Sequence, residues 1–550
     1  MKNRFVVVSE DKELYFEQKI KLLNLIPENE RKNYLCAKVN NRIRELTYDV
    51  HYDAKVDFLS ISDEEAMFIY ENSLRYIIAM ALYQINPNIQ LKYSYYESRS
   101  IYGLILNDDI KMDQALLDKL KDKINEIVKN DYPFVRKIVP NDEAEIIYRQ
   151  FNMLDKIDLL KYRPEKTAHI YNCNGYKNYM YSRMVPSTGY INKYKIRFYS
   201  PGIIIQYPRS EANGEIPPFE DAPTFGRTLK QAHQWAIATG ANTVVGINEH
   251  VEKDGVIDFI NLCESRHNRQ LCELGQMIEN DIDNIRIICI AGPSSSGKTT
   301  FANRLRIELL SRGIKPIRIS MDDYYLPRHL APKDENGEPD LESVDALDKE
   351  LFNQNMSDLI SGMEVELPKF DFLAGKRVKG RTLKVPQNQP IIIEGIHALN
   401  DIMTSSIPNH QKFKIFIAPQ AQINIDNENP ISLTDLRLLR RIVRDYQFRN
   451  ASAIDTIAMW PSVRKGEFKW IYSTQEGANY VFNSLLSYEL CAMKKYAMPL
   501  LLQIDVENEY YPVAERLIRM LKFFIDMPDE WVPCNSLLRE FIGNSCYADV

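Results

Sequence analysis

Between residues 291 and 300 the chain reads "AGPSSSGKTT", and no other stretch limits its fold as much. Gly292, Gly297, Lys298 and Thr299 fit the spacing G-x-x-x-x-G-K-[ST]. Residues 284–290, "NIRIICI", form an apolar, β-branched run that reads as a buried parallel strand. After the motif, apolar residues at 301, 305 and 309 recur at helical spacing, and Gly313 supplies a stop. Strand, glycine loop and helix in that order make a phosphate cradle. The glycines let backbone N–H groups turn inward, and the helix points its positive end at the same place. Lys298 reaches the β- and γ-phosphates of a nucleotide, and the Thr299 hydroxyl holds Mg²⁺.

This cradle begins almost three hundred residues into a chain of 550, too long for one ordinary core, so two to four domains are expected. The hydrophobic share of 45% fits a folded globular protein, and a net charge of -6 gives no global attraction to nucleic acid or anionic lipid. The start is too short in its apolar run and too soon acidic for a signal peptide, and no run of about 18 apolar residues predicts a membrane span. The 8 cysteines are scattered without a C-x-x-C pair and read as the reduced thiols of a cytoplasmic protein.

Downstream segments narrow the chemistry. "IKPIRISMDDYY" predicts a second strand, 314–320, ending in carboxylates, so that Asp322 or Asp323 faces the γ-phosphate and can accept the proton of an attacking hydroxyl. "NQPIIIEGIHALN" predicts a third strand, 390–394, that closes on Glu394, a second anchor for the metal. "LTDLRLLRRIVRDYQFRN" places Arg437, Arg441 and Arg444 on one helical face, with Arg449 at its end, as a lid that neutralises transferring phosphate. "MPLLLQID", 498–505, is taken as the fifth strand. "AERLIRMLKFFIDM" is taken as an amphipathic helix packed on the sheet.

The order of P-loop, "SMDDYY", "PKFDF" (368–372), "EGI" (394–396) and "RRIVRD" (440–445) resembles the uridine kinase and phosphoribulokinase family of P-loop kinases. The resemblance implies ATP and Mg²⁺ as cofactors and a small-molecule nucleoside as acceptor. It implies a nucleotide site made of Gly292, Pro293, Ser294, Ser295, Ser296, Gly297, Lys298, Thr299 and Thr300. Asp322 would be the catalytic base, acting with Lys298 and Arg444. Thr299, Glu394 and Asp322 would face Mg²⁺, and Arg441, Arg444 and Arg449 would cover the triphosphate. Tyr325, Glu342, Phe370, Phe372 and Arg377 would line the acceptor site. The chain departs from the family at the acceptor's base. Phe370 and Gly375 stand where a tyrosine and a histidine are usual, and Glu342 replaces an aspartate that holds the ribose. Loss of two hydrogen-bonding partners removes base discrimination on the order of 1–3 kcal/mol each, and Gly375 is expected to leave a gap. Lys369, Lys376 and Arg377 keep a sugar-phosphate acceptor open as an alternative.

The first part of the chain has its own resemblance. "AKVNNRIRELTYDVHYDAKVDFLSISDEEAMFIYENSLRYIIAMAL" (37–82) and "CNGYKNYMYSRMVPSTGYINKYKI" (173–196) are similar to the front of threonyl-tRNA synthetase, a β-grasp module called TGS followed by an editing-type domain. The family's H-x-x-x-H helix positions are Asn72 and Tyr76 here, and Lys177 replaces a later histidine. Cys173 remains, with His169 four residues before it, which is too few ligands for zinc. Tyrosine-rich "YSYYESRSIY" (93–102) offers stacking surfaces, so RNA contact through this region is the reading from another class, with ATP as a switch. A homo-oligomer stands among the partner expectations. The expected organisation is multidomain: an α+β front (β-grasp over 1–62, editing-like over 63–210), a connector (211–280), an α/β P-loop kinase domain with a mainly parallel sheet (281–505) and a helical extension (506–550).

Overall fold

Five strands lie side by side in the order Ile317–Ser320, Ile391–Glu394, Ile287–Ala291, Lys412–Ala418, Tyr480–Asn483, and every neighbouring pair is parallel. This computed structural model describes residues 5–9, 12–333, 337, 339–371, 374–386, 389–420 and 423–548. The central strand Ile287–Ala291 is wholly buried, as a strand covered on both faces by helices must be. Its carboxyl end runs into the 292–297 loop and the helix Lys298–Ser311. Neighbouring strand ends deliver Met321–Tyr324 and Glu394 to the same edge, where open α/β sheets bind ligands.

Two expectations about this sheet change. The fifth strand is Tyr480–Asn483, and the run expected as a strand at 498–505 begins inside the helix Glu489–Leu502. A short apolar run reads alike as buried strand or buried helix. Here Cys491, Ala492, Met493, Ala497 and Leu501 are buried along one helix that carries Pro499 in its last turn. The strand Lys412–Ala418, next to the central one, was not read from the sequence. The expected amphipathic helix is Tyr511–Leu521. It packs on Glu489–Leu502 rather than on the sheet, and its Arg516 joins Asp435 (2.9 Å) and Glu65.

The front part begins with a five-stranded sheet, ordered Lys12–Phe16, Phe5–Ser9, Ala54–Ser60, Tyr34–Val39, Arg42–Glu45. Phe5–Ser9 and Ala54–Ser60 run parallel, and the other pairs are antiparallel. The helix Glu64–Ile85 follows, buried nearly all round. Around it stand a four-stranded antiparallel sheet that includes Leu91–Glu97 and Ser100–Ile105, and a three-stranded one that includes Thr167–Cys173. The segment expected as a connector carries the helices Pro223–Ala238 and Val256–Glu279. The first covers the edge strand Tyr480–Asn483, and its Thr224 and Phe225 N–H groups donate to the Glu476 carboxylate at 3.2 and 3.0 Å.

Front and sheet share one continuous apolar core. A hairpin, Asn424–Asp426 with Asn429–Pro430, leaves the kinase sheet and enters the front part. There Tyr93 N–H donates to Asn427 O at 2.8 Å, and Lys156 pairs with Asp426 and Glu428 at 2.9 and 2.5 Å. No helix among the described residues is long and apolar enough to cross a membrane.

Candidate active site

The loop's two glycines have separate reasons. A Cβ on Gly292 would stand 1.9 Å from the Ile417 carbonyl, so only a bare backbone passes the adjacent strand. Gly297 turns the chain into the helix at φ +91°, where a side chain is strained. Between them the hydroxyls of Ser295 and Ser296 are buried without a hydrogen-bond partner among the described residues, as is that of Thr300. Lys298 Nζ donates back to the carbonyls of Gly292 (3.0 Å) and Pro293 (3.2 Å). Burial lowers the Lys298 ammonium, opposed by Glu394, Asp322 and Glu540 around it.

Carboxylates crowd the same edge. Burial holds Asp322 above the usual carboxylate range against the pull of Lys298, Arg449 and Arg444. Burial and then Asp322 push Glu394 up to about 7. Burial and then Glu467 push Glu342 up to about 7. Among the described residues these acids make none of the close cation pairs that buried charges require, and such strain marks working sites. Asp323 differs: its Oδ1 accepts the Phe370 N–H at 3.2 Å, so it is spent on holding a strand.

The arginines belong to the helix Leu433–Phe448, which is largely buried and braces the loop from beside it. Arg437 donates to Ser294 O at 3.0 Å and pairs with Glu467. Arg440 reaches Ser295 O at 3.3 Å and is held by Glu489 at 2.6 Å. Arg441 donates to Ser294 Oγ at 2.9 Å. Asp445, 1% exposed, gathers Arg441 (3.1 Å), Arg444 (2.8 Å) and Arg449 (3.6 Å). Arg444 first, then burial, lowers Arg449 to about 10. Arg437 was expected among the lid arginines, whereas Arg440, Glu467 and Glu489 were not among the expected site residues. Their pairings span 30 and 49 positions, which no local spacing reveals.

On the acceptor side, the Tyr325 ring meets the Phe370 ring edge-on at 5.8 Å, and its hydroxyl donates to Leu341 O at 3.1 Å. Glu342 packs against Gly466, where a Cβ would stand 2.3 Å from its own. Arg377 is paired with Asp348 at 2.7 Å. Phe372 lies outside the described residues. The expected gap at Gly375 is filled. Its φ is +63°, and a Cβ there would meet Arg328 Cδ at 3.0 Å. Arg328 N–H donates to Gly375 O at 3.2 Å, and Gly375 N–H donates to Asp371 O at 2.8 Å.

In the front part the residues at the synthetase-type ligand positions are packing groups. Asn72 Nδ2 donates to Ser182 O (3.2 Å) and Arg183 O (3.1 Å). Tyr76, fully buried, donates to Tyr176 O at 2.7 Å. His169 bonds Met180 O at 2.8 Å, and burial pushes the Cys173 thiol up to about 12. Lys177 is half-buried, on the strand Tyr176–Asn178. The tyrosines of 93–102 face inward. Tyr93, Tyr95 and Tyr102 are buried, the last two stacked at 4.7 Å, and Tyr96 donates to Glu71 at 2.8 Å.

Residues 287–490 match the model of the Phosphoribulokinase / Uridine kinase family. A uridine kinase of Ureaplasma parvum is 31% identical over 176 residues, which is 32% of this chain and 76% of the relative. The chain belongs to the phosphoribulokinase / uridine kinase family. A uridine kinase of Staphylococcus haemolyticus is 31% identical over 182 residues, 33% of this chain and 79% of that protein. The front part is similar to threonine–tRNA ligase. That of Desulforamulus reducens is 27% identical over 171 residues, 30% of this chain and only 26% of the ligase. Among solved structures, D-glycerate 3-kinase of Cryptococcus neoformans aligns over 46% of this chain and 87% of its own, with 14% identity and a TM-score of 0.22.

Membership makes the chain an ATP-dependent kinase of a small hydroxylated substrate. The family uses Mg²⁺, and the donors present fit a hard cation. Glu394 and Asp322 are buried carboxylates, burial raising both and Asp322 further raising Glu394, and Thr299 offers a hydroxyl at the start of the loop helix.

Proposed function

We propose that this kinase transfers the γ-phosphoryl group of ATP to the 5′-hydroxyl of a nucleoside. The observation that carries the reading is the placement of Asp322. It is a buried carboxylate at a strand end, flanked by Lys298, Arg444 and Arg449 and free of the backbone bond that occupies Asp323. In this reading Asp322 takes the proton of the attacking hydroxyl. Lys298, Arg441, Arg444 and Arg449 balance charge on the transferring group. Glu394 and Thr299 hold Mg²⁺, which when bound neutralises phosphate oxygens.

Glu342 faces the acceptor's ribose hydroxyls. Tyr325 and Phe370 give its base an apolar, edge-on wall. Commitment of Arg377 to Asp348 favours an uncharged acceptor over a sugar phosphate. The nucleobase is read loosely, since Phe370 lacks a hydroxyl.

The same reading assigns residues 1–62 to a β-grasp module and 63–210 to an editing-like domain without deacylation chemistry. Residues 211–280 are the connector, 281–505 the kinase and 506–550 the extension. Support for the front assignment comes from the parallel pairing of Phe5–Ser9 with Ala54–Ser60 and from the packing roles of Asn72, Tyr76 and Cys173. Incubation with labelled ATP and a panel of nucleosides and sugar phosphates tests the proposal. Label is expected in a nucleoside 5′-monophosphate, and label only in a sugar bisphosphate would overturn it.

A further inference from the structure

The loop helix has one first-turn donor already taken. Thr300 is its third residue, and the first N–H to bond within the helix is that of Phe301, to Gly297 O at 3.0 Å. Thr300 N–H donates instead to a carboxylate oxygen of Glu540, 3.0 Å away. Glu540 comes from the far end of the chain, in the short helix Arg539–Ile542.

That segment is fitted to the loop at several points. Leu537 Cδ2 lies 2.9 Å from where a Cβ on Gly297 would stand. Phe541 lies under the guanidinium of Arg440, 4.9 Å away, the same arginine that reaches Ser295 O. Leu537, Leu538, Phe541 and Ile542 are buried in the main core. Arg539 staples the turn by donating to Asp529 O (2.8 Å) and Val532 O (2.7 Å). Glu540, 9% exposed, is thus held against the loop, and its carboxylate ties this turn to the Thr300 N–H.

Backbone N–H groups in the first turn of such a helix are the donors that receive phosphate oxygens. A carboxylate offers the same donor the same sign of charge and the same acceptor chemistry. One N–H cannot serve both, and two anions at one helix start repel. The Thr300 hydroxyl beside it is buried with no hydrogen-bond partner among the described residues, so the tail has not used up the donors at this spot.

We propose that Glu540 competes with the nucleotide's phosphates for the Thr300 N–H and so sets the kinase's affinity for ATP. The proposal rests on the loop being the ATP site. It concerns the phosphoryl donor and is independent of which acceptor is used.

Titration calorimetry on the full chain tests it with ATP, AMP and adenosine, for wild type, Glu540→Gln and Lys298→Ala. Glu540→Gln should bind ATP and AMP about tenfold tighter, which corresponds to about 1.4 kcal/mol, and adenosine unchanged. Unchanged or weaker ATP binding, or an equal gain for adenosine, would overturn the proposal. Wild type that binds ATP no better than Lys298→Ala would overturn the loop assignment along with it. Hydrogen exchange on wild type gives a readout that needs no variant. Amides of 538–543 should exchange faster on ATP addition, and slower exchange there would contradict the competition.

Discussion

Two clusters of buried carboxylates among the described residues are partnered differently. In the front part Asp426 and Glu428 close on the Lys156 ammonium at 2.9 and 2.5 Å, with Asp155 accepting the Asn427 N–H at 2.8 Å. Burial works against the Lys156 charge, and its carboxylates outweigh it, holding it well above the ordinary lysine range. At the kinase edge Asp322, Glu394 and Glu342 make no ion pair among the described residues; burial holds them above the usual carboxylate range, as it does Asp155 and Glu428, but here without a cation closed on them. The satisfied cluster fastens one part of the chain to another. The unsatisfied one is kept under strain by the fold, as expected where ligand charge completes the balance.

The comparison breaks most directly at Lys298. Lys298→Ala should lower kcat by at least about 10³-fold with the melting temperature nearly unchanged, because the lysine serves phosphate and not the core. Wild-type turnover in that variant would remove the distinction between the clusters.

At the other cluster the effect should fall on stability. Lys156→Met leaves buried carboxylates uncompensated and should cost about 3–5 kcal/mol by denaturant unfolding. The kcat of the folded fraction should stay within about threefold. A stable variant with lost turnover would mean that the front cluster belongs to the chemistry.

Next in size, Asp322→Asn should reduce kcat by about 10²-fold or more with ATP binding retained. Asp323→Asn should act less on kcat and more on the acceptor KM, since Asp323 holds the Phe370 strand. The reverse ranking would move the base by one residue.

The sign of the pH effect follows from Glu394 and Glu342, each raised from 4.5 to about 7. Between those values the native state keeps protons that the unfolded chain has shed. The stability these groups contribute is therefore full below about 4.5 and is lost as pH rises through about 7. The melting temperature of Glu394→Gln relative to wild type should differ little at low pH, rise between about 4.5 and 7, and level off above that. A difference that does not change with pH would show that Glu394 is not strained.

The phosphate loop, the second and third strands of its sheet and the arginine helix were legible because each is local: one motif, two short β-branched runs, one helical spacing. The strand Lys412–Ala418 was not legible, nor were the braces Arg437–Glu467 and Arg440–Glu489, because sequence distance hides what the sheet brings together. The 498–505 run was misread because a short apolar run does not by itself separate strand from helix. Gly375 was read as a gap because Arg328, which fills it, comes from a separate turn. That finding reshapes the smallest expected effect. Gly375→His would be strained at φ +63° and would meet Arg328. Phe370→Tyr alone should therefore raise kcat/KM for uridine relative to adenosine by about threefold to tenfold, the worth of one hydrogen bond. No change in that ratio would mean the Phe370 ring does not face the base.

The central claim, a kinase of nucleoside 5′-hydroxyls, meets its most direct test in product analysis with labelled ATP and Mg²⁺. The full chain is incubated in parallel with uridine, cytidine, adenosine, inosine and a set of sugar phosphates. The account predicts label in at least one nucleoside 5′-monophosphate, lost in Lys298→Ala and Asp322→Asn. Label confined to a phosphorylated sugar, or ATP turnover with no labelled acceptor, would contradict it.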